Sequence, residues 1–259
     1  SLYEVTVLAN GKEVPAHITK DGKYFVQILS SLEGVEETGT ESTQTQESEV
    51  QNIPTAEVSQ VELFVMSHCP FGTQAMKGMI PTIRELGDAV DFDVRFVNYA
   101  MHGEKEVREQ ANMYCIREEQ EDKMLDYLEC FLGTDGSEEQ ADSCLDEANI
   151  DREKLNTCVE AADEEFEITY NLENQAGRYP AFLVDDALNK EYGVRGSPTL
   201  VINGVQVSSA RDSQSYLDVV CQSLENPEVC SGIEVSSASP TPGFGWETTT
   251  TSGSTAQCD

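Results

Sequence analysis

Apolar and polar residues alternate over residues 2–29, which is the two-residue period of a β-strand. The alternating runs and the turn-forming pairs between them are Tyr3–Ala9, Asn10-Gly11, Lys12–Lys20, Asp21-Gly22 and Lys23–Leu29. Asn-Gly and Asp-Gly favour the tight turns that connect antiparallel strands. The pattern therefore predicts a small three-stranded β-meander in residues 1–30.

Such a meander is too small to bury a hydrophobic core by itself. Pro15, inside the second run, predicts a bulge or a strand end, because proline has no backbone N–H to donate to a sheet. We expect the meander either to pack on the rest of the chain or to pair with a neighbouring molecule.

Two segments of the chain have compositions typical of irregular structure. Residues 31–58 are rich in Glu, Thr, Ser and Gln and contain neither Lys nor Arg, which predicts an acidic flexible linker. The tail, residues 232–259, is rich in Ser, Thr, Pro and Gly and is predicted to be irregular. Phe244 and Trp246 are exceptions, since aromatic side chains in a tail usually dock on a surface.

Between linker and tail, strand and helix periods alternate, which favours an α/β domain over residues 59–231. The run Val61–Met66 predicts a buried strand, and the next segment places Met76, Ile80 and Ile83 on one helical face. The later predicted elements are a strand at 91–99, a helical insertion at about 104–175, strands at 199–203 and 205–207, and a helix at 213–224.

Candidate chemistry lies at the first strand-to-helix corner, where Cys69-Pro70-Phe71-Gly72 follows the strand. The free N–H groups and the positive end of the following helix favour a thiolate, so Cys69 is a candidate nucleophile. His68 favours the thiolate further when the imidazole is protonated. A dithiol oxidoreductase carries Cys-x-x-Cys, and here Gly72 stands in the place of the second cysteine.

A second motif, Tyr192–Gly204, combines a Gly-rich turn, the Ser197-Pro198 bond and a buried-type strand. Together with the Cys69 corner it resembles the thioredoxin superfamily, in which a cis-proline before a strand packs against the active-site thiol and presents backbone groups to an extended substrate. Only about one X-Pro bond in twenty is cis in folded proteins, so a trans Pro198 that begins a strand is the alternative.

The spacing of the other cysteines is similar to that of the gamma-interferon-inducible lysosomal thiol reductase family and its DsbA-like relatives, over about residues 59–231. The resemblance implies an α/β, thioredoxin-like fold with a disulfide-stapled helical insertion. It also implies the pairs Cys115–Cys158, Cys130–Cys144 and Cys221–Cys230, which spacing alone does not select.

Composition limits the setting and the partners. Sixteen Lys and Arg against 48 Asp and Glu give a formal net charge of −32, which argues against nucleic acid or an anionic membrane surface as a partner. The eight cysteines lack the paired Cys-x-x-Cys spacing of zinc sites and predict a disulfide framework, hence an oxidising compartment.

We therefore expect the mature part of an exported, extracellular or cell-surface protein. No apolar run reaches the ~18 residues that span a bilayer, and the chain begins at Ser1 without a signal peptide. The sequence contains no Asn-x-Ser/Thr acceptor, which favours a prokaryotic source.

No cofactor or metal is predicted, although one alternative ligand set exists. Met66, His68, Cys69 and Met76 are the soft ligand types that copper(I) prefers. Met76 fits the helix core equally well.

Cys69 itself has alternatives, because it can also be a buried or disulfide-bonded residue. Cys258 is left without a partner in the pairing above. The Gly-, Ser- and Thr-rich stretch 248–257 can bring Cys258 back to the Cys69 corner or across to a partner molecule. At the corner we expect it to supply the sulfur that is missing at Gly72, either as a resolving thiol or as a permanent cap on Cys69.

Two functions from different classes follow. The first is a monothiol, isomerase-like exchange protein that acts on protein thiols and disulfides, with Cys69 as nucleophile, Ser197 and Pro198 orienting the substrate, and an external thiol completing the reaction. The alternative is a catalytically silent thioredoxin-fold scaffold, a subunit of an extracellular assembly that self-associates through residues 2–29 and the C-terminal tail.

Overall fold

A computed structural model of the protein describes residues 2–9, 12–19, 25–26, 52–175, 177–246, 248–249 and 258. The chain divides into two compact units, Ser1–Glu49 and Val50–Asp259. The predicted linker lies outside the described residues as far as residue 51, and so does most of the tail beyond Trp246.

The first unit contains a three-stranded antiparallel sheet of β1 (Leu2–Ala9), β2 (Lys12–Thr19) and β3 (Phe25–Val26), in that order. The expected interruption at Pro15 is wrong, because Pro15 pairs with Thr6 in an unbroken register. The register leaves two residues between Ala9 and Lys12, and the pair that closes a two-residue hairpin is hydrogen-bonded. Because the two kinds of pair alternate along antiparallel strands, Thr6–Pro15 falls at a non-hydrogen-bonded position. The proline nitrogen therefore points away from β1, and the β1–β2 ladder loses no bond.

The second unit is built on a four-stranded mixed sheet with the order β5-β4-β6-β7. Its strands are β4 (Ser59–Val65), β5 (Val90–Phe96), β6 (Thr199–Ile202) and β7 (Val205–Val207). β4 runs parallel to β5 and antiparallel to β6. The helix α1 (Pro70–Leu86) makes the crossover between the parallel strands. The predicted α/β, thioredoxin-like fold class is confirmed.

Hydrophobic clusters cover both faces of this sheet because the side chains of a strand alternate between its faces. Leu63 and Val65 of β4 belong to the large cluster that includes α1 and the insertion. Phe64 and Met66 belong to a smaller cluster on the other side, together with Cys69. Burying each such side chain fully stabilises the fold by about 1.5–3 kcal/mol, so the end of β4 is a rigid base for the corner that follows.

Five helices lie between β5 and the next buried segment. They are α2 (Glu104–Glu119), α3 (Met124–Gly133), α4 (Glu138–Glu147), α5 (Arg152–Phe166) and α6 (Ile168–Glu173). Two further helices, α7 (Asp186–Tyr192) and α8 (Ser213–Cys221), flank the last two strands of the sheet.

Disulfides tie these helices together. Cys115–Cys158 joins α2 to α5, Cys130–Cys144 joins α3 to α4, and Cys221–Cys230 joins the end of α8 to the following 3₁₀ turn. These are the pairings that the family resemblance implied.

The last residues of the predicted linker are part of the second unit. Ile53 is buried, and Ala56 forms a β-bridge with Leu224 at the end of the domain. Residues 53 and 56 thus belong with the α/β domain, although they precede residue 59. Short strands β8 (Ser239–Pro240) and β9 (Thr248–Thr249) pair within the tail.

Candidate functional site

Cys69 is the N-cap residue of α1, at the corner predicted from the sequence. Its backbone is extended, with φ −65° and ψ 124°, and Pro70 is the first residue of the helix. Proline fits this position because the N–H it lacks would have no partner inside the helix. The N–H of Gly72 points to Cys69 Sγ at 3.4 Å. A free helix N–H directed at a sulfur stabilises negative charge there.

The sulfur of Cys69 is bonded to Cys258, with the two Cα atoms 6.5 Å apart. The backbone of Cys258 also pairs with Ser197 as an antiparallel bridge. Cys258 N donates to Ser197 O at 2.7 Å, and Ser197 N donates to Cys258 O at 3.0 Å. The tail cysteine is therefore held at Cys69 by a covalent bond and by two backbone hydrogen bonds.

Ser197 connects the end of β4 to the disulfide. Its hydroxyl accepts a hydrogen bond from Met66 N at 2.8 Å, and its carbonyl oxygen lies 3.5 Å from Cys69 Sγ. The Ser197-Pro198 peptide bond is cis, as the resemblance to the thioredoxin superfamily implied. Ser197 and Cys69 are both fully buried.

Gly72 stands where a Cys-x-x-Cys motif has its second sulfur, and the structure leaves no room for a side chain there. A Cβ built on Gly72 would lie 2.6 Å from Ser197 Oγ and 2.9 Å from Met66 O. Both distances are too short for non-bonded atoms. The space of the missing cysteine is occupied by the Ser197 hydroxyl.

His68 is buried in the wall of the site rather than directed at the sulfur. Its Nε2 lies 3.0 Å from Gly136 O and its Nδ1 lies 3.0 Å from Ser67 Oγ. Because a carbonyl oxygen only accepts, Nε2 carries the proton of a neutral ring. Burial lowers the pKa of His68. A neutral imidazole adds no positive charge at Cys69. His68 therefore does not stabilise the Cys69 thiolate by charge, as a protonated His68 was expected to do.

Glu106 was not identified from the sequence, yet it organises the turn before Cys69. Its buried carboxylate accepts hydrogen bonds from the backbone N–H groups of His68 (3.2 Å), Met101 (2.7 Å) and His102 (3.0 Å). The His102 side chain also contacts this carboxylate, with Nδ1 2.7 Å from Oε1. Burial opposes ionisation of Glu106, but the side-chain hydrogen bond and the charge of His102, together with the backbone hydrogen bonds, outweigh it and hold the pKa of Glu106 below the ordinary value. The one sequence signal was an acidic residue in the first turn of α2, a position that a helix dipole favours.

Part of the tail docks close to His68, as the two aromatic residues in it suggested. The Phe244 ring makes edge-to-face contacts with His68 and Phe131, with centroids 5.5 and 5.2 Å apart. Trp246 Nε1 donates to Glu129 O at 3.2 Å.

The alternative copper(I) ligands are not brought together. Met66 and Met76 belong to different hydrophobic clusters, and the sulfur of Cys69 is bonded to Cys258. Within the described part of the chain, no group of three or more His, Cys, Asp or Glu residues has a metal-binding arrangement. No helix among the same residues is long and apolar enough to cross a membrane.

No protein-family model matches the sequence, and no curated protein shows significant similarity to it. Solved structures with a similar fold include reduced DsbA from Mycobacterium tuberculosis, at 15% identity and a TM-score of 0.48 over 69% of this chain and 93% of that one. Oxidised BdbD from Bacillus subtilis matches at 16% identity and a TM-score of 0.47, over 67% of this chain and 92% of that one. A thioredoxin-like oxidoreductase from Silicibacter pomeroyi matches at 19% identity and a TM-score of 0.43, over 64% of this chain and 87% of that one. The likeness to these proteins is one of fold.

Proposed function

We propose that the protein is an exported thiol–disulfide exchange protein in which Cys69 is the nucleophile. The observation that carries the proposal is the bond of Cys258 to Cys69 combined with its backbone pairing to Ser197. This is the geometry that an extended peptide would have in a mixed disulfide with Cys69. The tail thus occupies the position of a substrate.

The first step opens this bond. An external thiolate attacks Cys258 Sγ, forms a mixed disulfide with it, and expels Cys69 as a thiolate. The helix N-terminus stabilises the leaving thiolate, and a better leaving group speeds the exchange. A second external thiolate then attacks the sulfur of the first one. The two external thiols form a disulfide, and Cys258 leaves as a thiolate.

Cys69 then attacks a substrate disulfide. A bond forms between Cys69 and one substrate sulfur, the substrate disulfide breaks, and the second sulfur leaves as a thiolate that takes a proton from water. Ser197 pairs with the extended substrate backbone in the place that Cys258 has vacated. Because Gly72 provides no sulfur, another substrate thiolate releases Cys69 and forms a new substrate disulfide, which is an isomerisation.

The alternative is a silent scaffold, and one observation favours it. Cys69 is fully buried beneath its partner, and burial hinders the approach of an attacking thiolate to its sulfur. In this role the chain self-associates through its N-terminal sheet, where β1 is an edge strand of eight residues. Unpaired edges of that kind are templates for strand addition.

Refolding of scrambled ribonuclease in a glutathione buffer separates the two functions. The native chain and Cys258→Ser should both restore ribonuclease activity, whereas Cys69→Ser should not exceed the uncatalysed rate. A native chain that is no faster than Cys69→Ser would leave the scaffold as the better account. Light scattering of the full chain and of a chain that begins at Val50 then tests self-association.

A further inference from the structure

A segment of the tail forms a strap along one face of α1. The strap consists of residues 239–246 and of β9, which pairs back onto β8. Gln74 Nε2 donates to Pro240 O at 2.7 Å, and Gly243 N donates to Pro70 O at 2.9 Å. Positions three and four residues apart share a face of a helix, so these contacts follow a single stripe of α1.

Lys77 continues this stripe and is the strongest attachment of the strap. Its side chain is only 1% exposed. Its Nζ donates to Thr241 O at 2.7 Å and to Gly245 O at 2.6 Å. An ammonium group is costly to bury unless it is hydrogen-bonded, and charge-assisted bonds are stronger than neutral ones. The fold of α1 and the docking of the strap therefore depend on each other.

The end of the strap is attached to α3 as well. Gly245 N donates to Leu132 O at 2.8 Å, and Phe244 packs against Phe131. None of these contacts involves Cys69 or Cys258. They therefore persist when the Cys69–Cys258 bond opens.

We propose that the strap is an anchor that keeps Cys258 near Cys69 after the disulfide opens, with Lys77 as its positioning residue. This inference rests on the proposed function and deepens it. When Cys69 holds a substrate sulfur, the Cys258 thiolate attacks Cys69 Sγ, the Cys69–Cys258 bond forms, and the substrate sulfur leaves as a thiolate that takes a proton from water. The tail thereby limits the lifetime of the mixed disulfide and supplies the second sulfur that Gly72 cannot.

The size of the effect follows from the length of chain between the anchor and the sulfur. With the strap in place, only residues 250–258 separate the anchor from Cys258. Without it, the tether begins after Ser236, whose carbonyl oxygen accepts a hydrogen bond from Gln214 N at 3.1 Å. Effective concentration falls roughly as the −3/2 power of tether length, so loss of the strap should lower it roughly fourfold.

Two insertions of identical composition test the anchor. One places 12 Gly and Ser residues after Thr250, beyond the strap, and the other places the same residues after Ser237, before it. The effective concentration of Cys258 at Cys69 is measured as the equilibrium of the bond against dithiothreitol. We expect the insertion after Thr250 to lower it roughly fourfold and the insertion after Ser237 to leave it unchanged.

Equal falls for the two insertions would overturn the anchor, because both would then lengthen the same tether. No change for either insertion would overturn it too. Dithiothreitol opens the bond whether or not it takes part in catalysis, so this result is independent of the ribonuclease assay. If the native chain does not restore ribonuclease activity but only the insertion after Thr250 lowers the effective concentration, the proposed function is rejected and the role of the strap as an anchor stands.

Lys77→Met tests the positioning residue, with Lys123→Met as its control. Lys123 also donates to a backbone carbonyl, Asn149 O at 2.7 Å, but does not contact the strap. We expect Lys77→Met to lower the effective concentration of Cys258 at Cys69 roughly fourfold, and we expect the insertion after Ser237 to lower it further in this variant. Lys123→Met should do neither. If Lys77→Met folds and the insertion after Ser237 still leaves the effective concentration unchanged in this variant, Lys77 is not the positioning residue. If Lys77→Met does not fold, the two insertions in the native chain decide.

Discussion

Ser197 Oγ lies 2.6 Å from the point at which a side chain on Gly72 would begin. The same hydroxyl accepts a hydrogen bond from Met66 N at the end of β4. Gly72 and Ser197 therefore depend on each other, because the Ser197 hydroxyl fills the space that a side chain at residue 72 would need. The second cysteine of a Cys-x-x-Cys motif cannot be restored at residue 72 alone.

Gly72→Ala should therefore destabilise the fold. Overpacking a tight interior usually costs about 1–3 kcal/mol, and urea unfolding measures it. Gly177→Ala is the control, because a Cβ there approaches nothing closer than 3.8 Å. Combining Gly72→Ala with Ser197→Ala should cost less than the sum of the single changes, since one clash is removed. Additive costs would show that the two residues do not share this space.

Glu109 should make the stability of the protein depend on pH. It is buried against Tyr127, whose hydroxyl donates to Glu109 Oε1 at 2.6 Å. Burial raises the pKa of Glu109 to about 8, from an ordinary value of 4.5. Between these values the folded chain holds a proton that the unfolded chain has released, so the stability due to Glu109 is present below the window and is lost as the pH rises through it.

Urea unfolding of the native chain and of Glu109→Gln at pH 5 and pH 8 measures this effect. The neutral amide does not titrate. Between pH 5 and pH 8 the free energy of unfolding of the native chain should therefore fall relative to that of the variant, by at most about 1.4 kcal/mol for each pH unit. A difference between the two chains that is the same at both pH values would contradict a raised pKa.

Glu106 should show the opposite dependence on pH. Hydrogen bonds hold the pKa of its carboxyl below the ordinary value of 4.5, so its contribution is present above that value and is lost as the pH falls through the pKa of the folded state. Glu106→Gln replaces an acceptor by an amide N–H that faces donors, which costs about 1–3 kcal/mol. Urea unfolding at pH 7 and pH 4 should show the variant and the native chain converging at the lower pH. Ser143→Ala, on the exposed side of α4, should change stability little at either pH.

Local patterns predicted the corner at Cys69 and the segment around Pro198, because a buried strand followed by Cys-Pro and a Gly-rich turn followed by a buried strand are features of neighbouring residues. The pairing of the insertion cysteines came from resemblance, since spacing does not determine it. These signals were sufficient for the fold class.

The contacts that shape the site were not predictable, because they join distant parts of the chain. Lys77 looks like an ordinary polar position of α1 until the tail, more than 160 residues later, covers it. Glu106 and the turn at His68 meet across 38 positions. The room at Gly72 depends on Ser197, and only the packed structure shows that the missing sulfur is replaced by a hydroxyl.

The reactivity of Cys69 toward a substrate disulfide is the most direct test of the account. Cys258→Ser frees Cys69 while the other cysteines remain paired, and the variant is mixed with a peptide that contains a single disulfide. After acid quenching and non-reducing digestion, mass spectrometry should find the peptide bonded to Cys69, and Cys69→Ser combined with Cys258→Ser should show no adduct. A folded Cys258→Ser chain in which Cys69 stays unmodified would contradict a nucleophilic Cys69.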